Sequence, residues 1–372
     1  MKKVLFVATI DQHIRHFHYP FMKWFQDNGY EVHVASNGQE QLKYTDKKFD
    51  IQFDKIPMHL NNLKAYRQLS KLIGKENYEL LHCHMPVGGA IGRLAAMKYR
   101  KQGLRVIYTA HGFHFFKGSS ICNWLIFYPI EKCLSFITDV LITINDEDFQ
   151  LAKRKFHPKR IELVNGVGVD LNKYVKVNDI LKFERRSQFG FTQDDIVLIF
   201  VAELSNRKNQ QLLIHSMKYL RYKVPNLKLF LVGDGRNYDK YTKQIRDLNL
   251  QDSVILAGYQ RDISNFLSLC DIALSSSKQE GLPVNLLEAM AMGLPVIASN
   301  CRGNNDLIRH HVNGLLYESN DMDELIKSII YLIDNRDLMR EFADQNLKLS
   351  KKYALNIIVD YMISIYSEQI NL

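Results

Sequence analysis

The chain has few of the residues that mark special classes of protein. Its five cysteines are an odd, scattered set without a C-x-x-C pair, which favours a reducing compartment over a disulfide framework. Eight prolines and 19 glycines exclude collagen-like and low-complexity chains. No uncharged apolar run reaches 18 residues, so we expect no membrane span. Asp11 and His13 interrupt the apolar start of the chain, which we interpret as a strand rather than a signal peptide.

Length and charge are more informative than composition. The 372 residues exceed what one hydrophobic core usually holds, which predicts two domains. The whole net charge of +9 lies in residues 1–165, which hold 24 Lys and Arg against 15 Asp and Glu, whereas residues 166–372 hold 25 of each. Nucleic acid, an anionic membrane or an acidic substrate could each explain this excess, and so could an ordinary solvated surface.

Short β-rich runs alternate with helical stretches in both halves. KKVLFVAT, EVHVAS and LRVIYTA are typical of strands in the first half, and DIVLIFV, LKLFLVGDG and DIALSSS in the second. The loop-like NGVGVDLNKYVKVNDI separates the halves, and we place the boundary between residues 165 and 166. This α/β alternation predicts parallel, doubly wound sheets that bind ligands at the carboxyl ends of their strands. Neither half carries G-x-G-x-x-G after its first strand, which argues against a dinucleotide oxidoreductase.

The densest chemistry lies in residues 275–299. Pro283 suits the first turn of a helix and Gly293 its carboxyl-terminal stop. Free backbone N–H groups at the start of this helix would form an anion site, and they belong to Gly281, Leu282 and Val284. Glu280 and Glu288 flank that site and could accept hydrogen bonds from sugar and ribose hydroxyls. Capping and solvation are the simpler explanation for a bare pair of glutamates at this spacing.

These blocks resemble the family 4 retaining glycosyltransferases of the GT-B fold. The E-x7-E motif matches Glu280 and Glu288, and the resemblance extends through VGDG (232–235), HCHMPVGGAIGRLAA (82–96) and YTAHGFHFFKG (108–118). It implies two Rossmann-like domains facing across a cleft: an acceptor domain (1–165) and a nucleotide-sugar domain (166–353). A helix at about 354–372 would pack back on the first. The first-half blocks are most similar to bacterial capsular and exopolysaccharide enzymes that extend lipid-linked sugars.

The resemblance also implies roles for residues of the second half. Glu280 would hold donor-sugar hydroxyls, Glu288 the ribose and Lys208 the diphosphate. Many members have an arginine where this chain has Glu203, and Arg207 is either its substitute or a surface residue. Gly233 and Gly235 would let the backbone approach the nucleotide, and Gln260 and Arg261 are candidates for the base, which we expect to be uridine.

In the first half, His111 follows an apolar strand and precedes Gly112. The resemblance implies that it lies at the sugar-transfer centre. The candidate acceptor contacts lie in loops predicted after the first strand and around the HCH motif, and they are Asp11, His16, His84, Gly88 and Gly89. His82 and His84 suggest zinc, but strand alternation separates them from Cys83 and no matching pair follows in the sequence. The D-x-D spacings at 146–148 and 321–323 fit helix starts, so we predict no metal and no cofactor.

We therefore expect a retaining, metal-independent glycosyltransferase. It would move a sugar, which we expect to be an N-acetylated hexose, from a UDP-sugar to a lipid-linked saccharide. The apolar-aromatic stretch 118–137 and the basic clusters 97–105 and 152–160 predict peripheral binding to the anionic inner face of the cell membrane from the cytoplasm. A UDP-sugar epimerase is an alternative that shares the donor site. A basic nucleic-acid-binding protein is another, but no recognition motif supports it and we expect no nucleic-acid partner.

Overall fold

A computed structural model describes residues 2–57 and 59–370. The chain divides into two compact units, Met1–Val167 with Asn356–Leu372 and Gly168–Leu355. The boundaries predicted from the sequence, after residues 165 and 353, each lie two residues before those of the structure. Each unit is an open parallel sheet in which helices connect most successive strands, which confirms the predicted α/β class.

The first unit is built on seven parallel strands. They are β1 (Lys2–Ile10), β2 (Tyr30–Asn37), β3 (Lys47–Asp50), β4 (Leu80–His84), β5 (Arg105–Ala110), β6 (Val140–Thr143) and β7 (Arg160–Leu163). Their order in the sheet is β3-β2-β1-β4-β5-β6-β7. The helices between them are α1 (Asp11–Phe17), α2 (Tyr19–Asp27), α3 (Leu60–Glu76), α4 (Pro86–Ala96), α5 (Ile121–Ser135) and α6 (Asp146–Lys155).

Glycines bring α4 directly onto this sheet. A Cβ at Gly88 would lie 2.9 Å from the backbone nitrogen of Thr9, and one at Gly89 would lie 2.3 Å from the Tyr108 ring. Both glycines are buried within α4, so the prediction that they belong to an acceptor-binding loop is wrong. They are needed because a side chain would push the helix off β1 and β5.

The second unit has six parallel strands. They are β8 (Ile196–Val201), β9 (Leu227–Val232), β10 (Val254–Gly258), β11 (Ile272–Ser275), β12 (Val296–Ser299) and β13 (Gly314–Tyr317), in the order β10-β9-β8-β11-β12-β13. Its helices are α7 (Asp179–Ser187), α8 (Gln210–Lys223), α9 (Tyr238–Asp247), α10 (Ile263–Leu269), α11 (Val284–Ala291), α12 (Asn304–Leu307), α13 (Met322–Asp334) and α14 (Arg336–Ser350).

The last helix, α15 (Leu355–Ile370), packs in the first unit from Asn356 onward. Ile358, Met362 and Ile365 are buried in the same core as Phe25 of α2. The Tyr366 hydroxyl lies 2.8 Å from His82 Nδ1 on β4. Within residues 2–57 and 59–370, no helix combines the length and the apolar character that crossing a bilayer requires.

Strand order fixes where ligand-binding loops can gather in each unit. The order reverses between β1 and β4 in the first sheet and between β8 and β11 in the second. Loops that leave the carboxyl ends of two such strands diverge to opposite faces and leave a crevice. Chemistry-bearing residues of each unit lie at or just beyond the carboxyl ends of these strands.

Candidate functional site

In the second unit, Glu280 is the centre of an ionic cluster with the buried Lys208 and the exposed Arg207. It follows β11, whereas Arg207 and Lys208 follow β8, so the two loops meet at the reversal of strand order. Lys208 Nζ lies 2.5 Å from Glu280 Oε1, and Arg207 Nη1 lies 3.4 Å from Glu280 Oε2. Burial by itself would raise the pKa of the Glu280 carboxyl, but the charges of Lys208 and then Arg207 outweigh it and lower that pKa. Glu280 is therefore ionised at neutral pH.

A second loop supports the Glu280 backbone. The Glu280 N–H donates to the Arg302 carbonyl at 3.3 Å, and Arg302 Nε donates to the Glu280 carbonyl at 3.1 Å. Gly303 has a φ of +83°, and a Cβ there would lie 2.6 Å from the Gly281 carbonyl oxygen. Only glycine allows the two loops to approach this closely. No sequence motif pointed to Arg302, although a glycine beside it is the residue type that such a close approach requires.

The helix that follows Glu280 begins one residue later than expected. Pro283 is the N-cap of α11 rather than a residue of its first turn, and Val284 is the first helical residue. The Pro283 carbonyl accepts hydrogen bonds from the N–H groups of Leu286 and Leu287. Val284 therefore lies in the first turn of the helix, whereas Gly281 and Leu282 precede the N-cap, and the anion site at residues 281–284 stays a prediction.

Glu288 lies in the second turn of α11 and is held by a neighbouring phenol. The Tyr174 hydroxyl donates to Glu288 Oε1 at 2.6 Å. Burial raises the pKa of Glu288, and the bond from Tyr174 and the charge of Lys173 only partly offset it. The two glutamates of the motif therefore differ, since Glu280 is stabilised as an anion and Glu288 is not. Tyr174 was missed because it lies in the stretch interpreted as a linker.

Close backbone contacts require glycine at positions 233 and 235. A Cβ at Gly233 (φ +141°) would lie 2.1 Å from the Ala202 carbonyl oxygen. One at Gly235 (φ +156°) would lie 2.6 Å from the Leu204 carbonyl oxygen. These glycines therefore allow the turn after β9 to pack on the turn after β8, which leads to Lys208.

The two base-binding candidates lie in the turn after β10. Gln260 donates through Nε2 to the Ala257 carbonyl at 2.6 Å, so its amide is engaged within its own loop. Arg261 is exposed. Their roles in binding the base stay predictions.

In the first unit, His111 belongs to a cluster of five histidines. His13 and His18 come from α1 and the residue that ends it, His82 and His84 from β4, and His111 follows β5. The rings of His82 and His84 lie 4.0 Å apart, as strand alternation predicts, whereas Cys83 faces α4. His82 is fully bonded, at 2.8 Å to Tyr366 and 2.8 Å to Thr109.

The other four histidines converge. One nitrogen from each of His13, His18, His84 and His111 lies within 4.8 Å of the other three. His13 Nε2 and His111 Nε2 are 3.1 Å apart. Burial lowers the pKa of His111 to about 4. Burial first, and then the neighbouring imidazoles, hold the pKa values of His13, His18 and His84 well below the ordinary one. The cluster is therefore neutral at neutral pH.

The sequence pattern predicted a loop over residues 9–16, which contains His13 and stops before His18, so neither histidine was predicted to lie beside His111. Residues 11–17 form α1 instead, which turns His13 toward His111. The repeated histidines of HIRHFH were the available signal. His84 is the fully buried last residue of β4, not a residue of an acceptor-side loop as predicted. His16 is exposed and its Nδ1 lies 2.7 Å from the Gln12 carbonyl oxygen.

Asp11 is a structural residue rather than an acceptor contact. Its carboxylate is buried and accepts hydrogen bonds from Ser36 Oγ at 2.6 Å and from the Glu40 N–H at 2.9 Å. Lys48 Nζ lies 3.1 Å from the same carboxylate. Because these groups use its oxygens to hold the loop after β2, the prediction for Asp11 is wrong.

Comparison with known proteins identifies the class. Residues 3–145 match the family model described as glycosyl transferase 4-like, and residues 182–349 match that of glycosyl transferases group 1. EpsD of Bacillus subtilis, which is named as a glycosyltransferase, is 41% identical over 98% of this chain and 96% of its own. The chain belongs to these family 4-type glycosyltransferases, as the sequence motifs indicated.

Individual relatives and solved structures agree with this class. An Escherichia coli protein named UDP-Gal:alpha-D-GlcNAc-diphosphoundecaprenol alpha-1,3-galactosyltransferase is 30% identical over 84% of this chain and 81% of its own. HepE of Anabaena, solved with UDP, superposes with a TM-score of 0.80 over 99% of this chain and all of its own, at 20% identity. WaaG, a glycosyltransferase involved in lipopolysaccharide biosynthesis, superposes with a TM-score of 0.76 over 98% of this chain and 99% of its own, at 16% identity. The fold is GT-B.

Proposed function

We propose that this glycosyltransferase moves a sugar from a UDP-sugar to a lipid-linked saccharide, with retention of anomeric configuration and without a metal ion in the reaction. The observation that carries the proposal is the ionised, buried Glu280 with Lys208 and Arg207 beside it. An ionised carboxylate accepts hydrogen bonds from sugar hydroxyls, and adjacent cations suit a diphosphate. Both kinds of group are present at one reversal of strand order.

The second unit would bind the donor. Glu288, with the Tyr174 hydroxyl, is placed on α11 to accept from a ribose diol. The N–H groups at the start of α11, together with Lys208, would stabilise the charge that develops on the leaving diphosphate. Gln260 and Arg261 remain the candidates for the uracil ring.

Retention follows if the acceptor attacks from the face that the diphosphate leaves. The leaving phosphate oxygen then takes the acceptor hydroxyl proton, the glycosidic bond to phosphate breaks and the new one forms. No protein base is required, which suits the depressed pKa of His111, to about 4. His111 would act by positioning groups at the transfer centre rather than by carrying a proton.

The relatives support the choice of substrates. The names of the Escherichia coli protein and of a Campylobacter jejuni protein, which is 24% identical over 99% of this chain, each specify a diphosphoundecaprenol-linked acceptor. The solved HepE complexes contain UDP or UDP-glucose. We propose the same chemical classes for this chain, with an N-acetylated hexose as the sugar and capsular or exopolysaccharide assembly as the setting.

A binding panel followed by a transfer assay tests the proposal. UDP at 100 times its Kd should stabilise the protein by about 2.7 kcal/mol, and GDP, ADP and NAD should do so less. UDP-sugars are then incubated with a diphosphoundecaprenol-linked saccharide in excess EDTA, and the anomeric configuration of the product is read by NMR. Stabilisation by NAD alone, or an inverted product, would contradict the proposal. Conversion of the UDP-sugar without acceptor would instead indicate an epimerase.

We also propose that the first unit binds the anionic inner face of the membrane through α5. Ile121 and Leu125 are 77% and 71% exposed, and Phe136 just beyond the helix is 61% exposed. Trp124 and Phe127, which the sequence suggested for this surface, pack against the core instead. Exposed basic residues accompany this apolar face in the same unit, and they include Lys98, Lys101 and Lys117.

Flotation with liposomes tests this surface. The protein should float with anionic vesicles and less with neutral ones, and salt should weaken the binding. The double variant Ile121→Ser/Leu125→Ser should lose flotation. Tyr222→Ser, an exposed aromatic of the second unit at 74%, is the control and should keep it. Equal flotation of all three proteins would contradict this surface.

A further inference from the structure

Two buried histidines of the first unit carry polar atoms that the surrounding protein leaves unsatisfied. His18 and His84 are 3% and 0% exposed, and neither ring nitrogen of either residue has a hydrogen-bond partner among the described residues. Their rings lie 3.8 Å apart. Burying an unpaired donor or acceptor is costly, and native proteins avoid it unless a ligand completes the group.

The nitrogens of the cluster have a spacing close to that of a metal site. A tetrahedral zinc ion with Zn–N bonds of about 2.0–2.1 Å separates its ligand nitrogens by about 3.3 Å. His13 Nε2 and His111 Nε2 are 3.1 Å apart. The remaining pairs lie within 4.8 Å, a distance that small ring rotations can close. Because the side chains of His13 and His111 are only partly buried, an ion can enter between them.

We propose that His13, His18, His84 and His111 bind one divalent transition-metal ion of the zinc class. Four imidazoles are a ligand set that zinc accepts, and their neutral state leaves a lone pair on each ring for the ion. His82 is outside the set because Tyr366 and Thr109 occupy both of its nitrogens. HCH therefore contributes one ligand, His84, and the other three come from α1, from the residue that ends it and from the residue after β5.

Bound metal would inhibit sugar transfer. This consequence rests on the proposed function, in which His111 positions groups at the transfer centre. A metal ion on Nε2 takes the lone pair of His111 and fixes its ring. The same residue therefore serves either the ion or the substrate, and zinc acts as an inhibitor of an enzyme whose chemistry needs no metal.

Direct binding tests the site without any substrate. Metal-free protein is titrated with Co²⁺, whose visible absorption reports a tetrahedral nitrogen site, and Zn²⁺ should displace it at one ion per chain. His13→Asn and His84→Gln should each weaken binding by at least about 10-fold, since each removes one ligand. His16→Asn, on the same helix as His13 but exposed, should bind as the parent does.

The outcomes separate the site from its consequence. No bound ion after dialysis against micromolar Zn²⁺, or undiminished binding in both ligand variants, would overturn the metal site. His13→Asn lies at the partly exposed edge of the cluster, so that it tests the site even if His84→Gln does not fold. In the transfer assay, one equivalent of Zn²⁺ should suppress turnover and EDTA should restore it. Binding with unchanged turnover would overturn the inhibition alone, and absence of transfer in EDTA would instead count against the proposed function.

Discussion

The two clusters occupy equivalent positions in their sheets but are stabilised in opposite ways. In the second unit, Glu280 is held by two cations at the reversal between β8 and β11. In the first unit, four neutral imidazoles meet near the reversal between β1 and β4, and two of them lack partners in the described part of the protein. The protein itself neutralises the ionic cluster, whereas the proposed metal ion would provide the missing partners of the histidine cluster.

This difference has energetic consequences. Removing one member of a buried ionic cluster leaves an uncompensated charge, which is strongly destabilising. Removing an unpartnered imidazole deletes a group that was already costly to bury. Substitutions in the second unit should therefore affect stability and activity together, and those in the first unit should separate the two.

The largest expected effect is that of Glu280→Gln on transfer. The amide keeps the shape of the side chain but loses the charge that strengthens bonds from sugar hydroxyls. Turnover should fall about 10³-fold, equivalent to about 4 kcal/mol. UDP release in the presence of donor and acceptor measures this. Lys278→Ala, an exposed neighbour in the same loop, is the matched control, and near-normal turnover of Glu280→Gln would remove that residue from the site.

Lys208→Met should have the next largest effect, on stability. It leaves Glu280 buried with Arg207 alone at 3.4 Å. The free energy of unfolding at pH 7 should fall by about 3 kcal/mol. The loss should shrink in acid, because a protonated Glu280 no longer needs a counter-charge. Urea unfolding measures both values.

The double variant Lys208→Met/Glu280→Leu is the control for that measurement. With neither charge buried, it should recover most of the lost stability. If the double variant were as unstable as the sum of its single changes, the two side chains would not be coupled and the ionic account of this cluster would be wrong.

The fold could be predicted from local signals, because each buried parallel strand is a short apolar run and each crossover has helical spacing. The same signals placed Glu280 and Lys208 after their strands. Where the prediction failed, the deciding contacts are distant in sequence. Asp11 has a structural role because its carboxylate binds Ser36 and Lys48. Gly88 and Gly89 allow α4 to pack closely on the sheet, because Thr9 and Tyr108 lie directly against them.

The histidine cluster also depends on contacts between residues that are distant in sequence. His13, His84 and His111 come from three segments, and only the sheet order brings them together. Read separately, each is an ordinary histidine near the end of a strand. His13 was hidden further by the loop predicted for residues 9–16, most of which form a helix.

The pH dependence of stability distinguishes the clusters with an effect of about 2 kcal/mol. His111 has a pKa of about 4 in the folded protein, against about 6.5 when unfolded. Between these values the unfolded chain binds more protons, so the stabilisation is complete above about pH 6.5 and is lost as the pH falls toward 4. His111→Gln should reduce the loss of stability between pH 7 and pH 5 by about 2 kcal/mol.

The control for this experiment is Glu280→Gln. The pKa of Glu280 is also lowered, but its stabilisation is lost only as the pH falls below the ordinary carboxyl range, so this variant should keep the full loss between pH 7 and pH 5. Urea unfolding in EDTA, at both pH values, measures each variant without bound metal. An unchanged profile for His111→Gln would show that the His111 side chain titrates normally.

The smallest effect, and the one whose sign matters most, is that of His84→Leu. His82 and His84 lie two residues apart on β4 and are equally buried, but only His82 is hydrogen-bonded in the described protein. His82→Leu removes the hydrogen-bond partner of the Tyr366 and Thr109 hydroxyls and should lower the free energy of unfolding by about 2 kcal/mol. In EDTA, His84→Leu should leave stability unchanged or raise it by up to about 1 kcal/mol, because the unpaired nitrogens disappear. Urea unfolding of both variants decides the matter: if His84→Leu costs as much as His82→Leu, then His84 has partners within the protein itself. The proposed difference between the ionic cluster and the histidine cluster would then not hold.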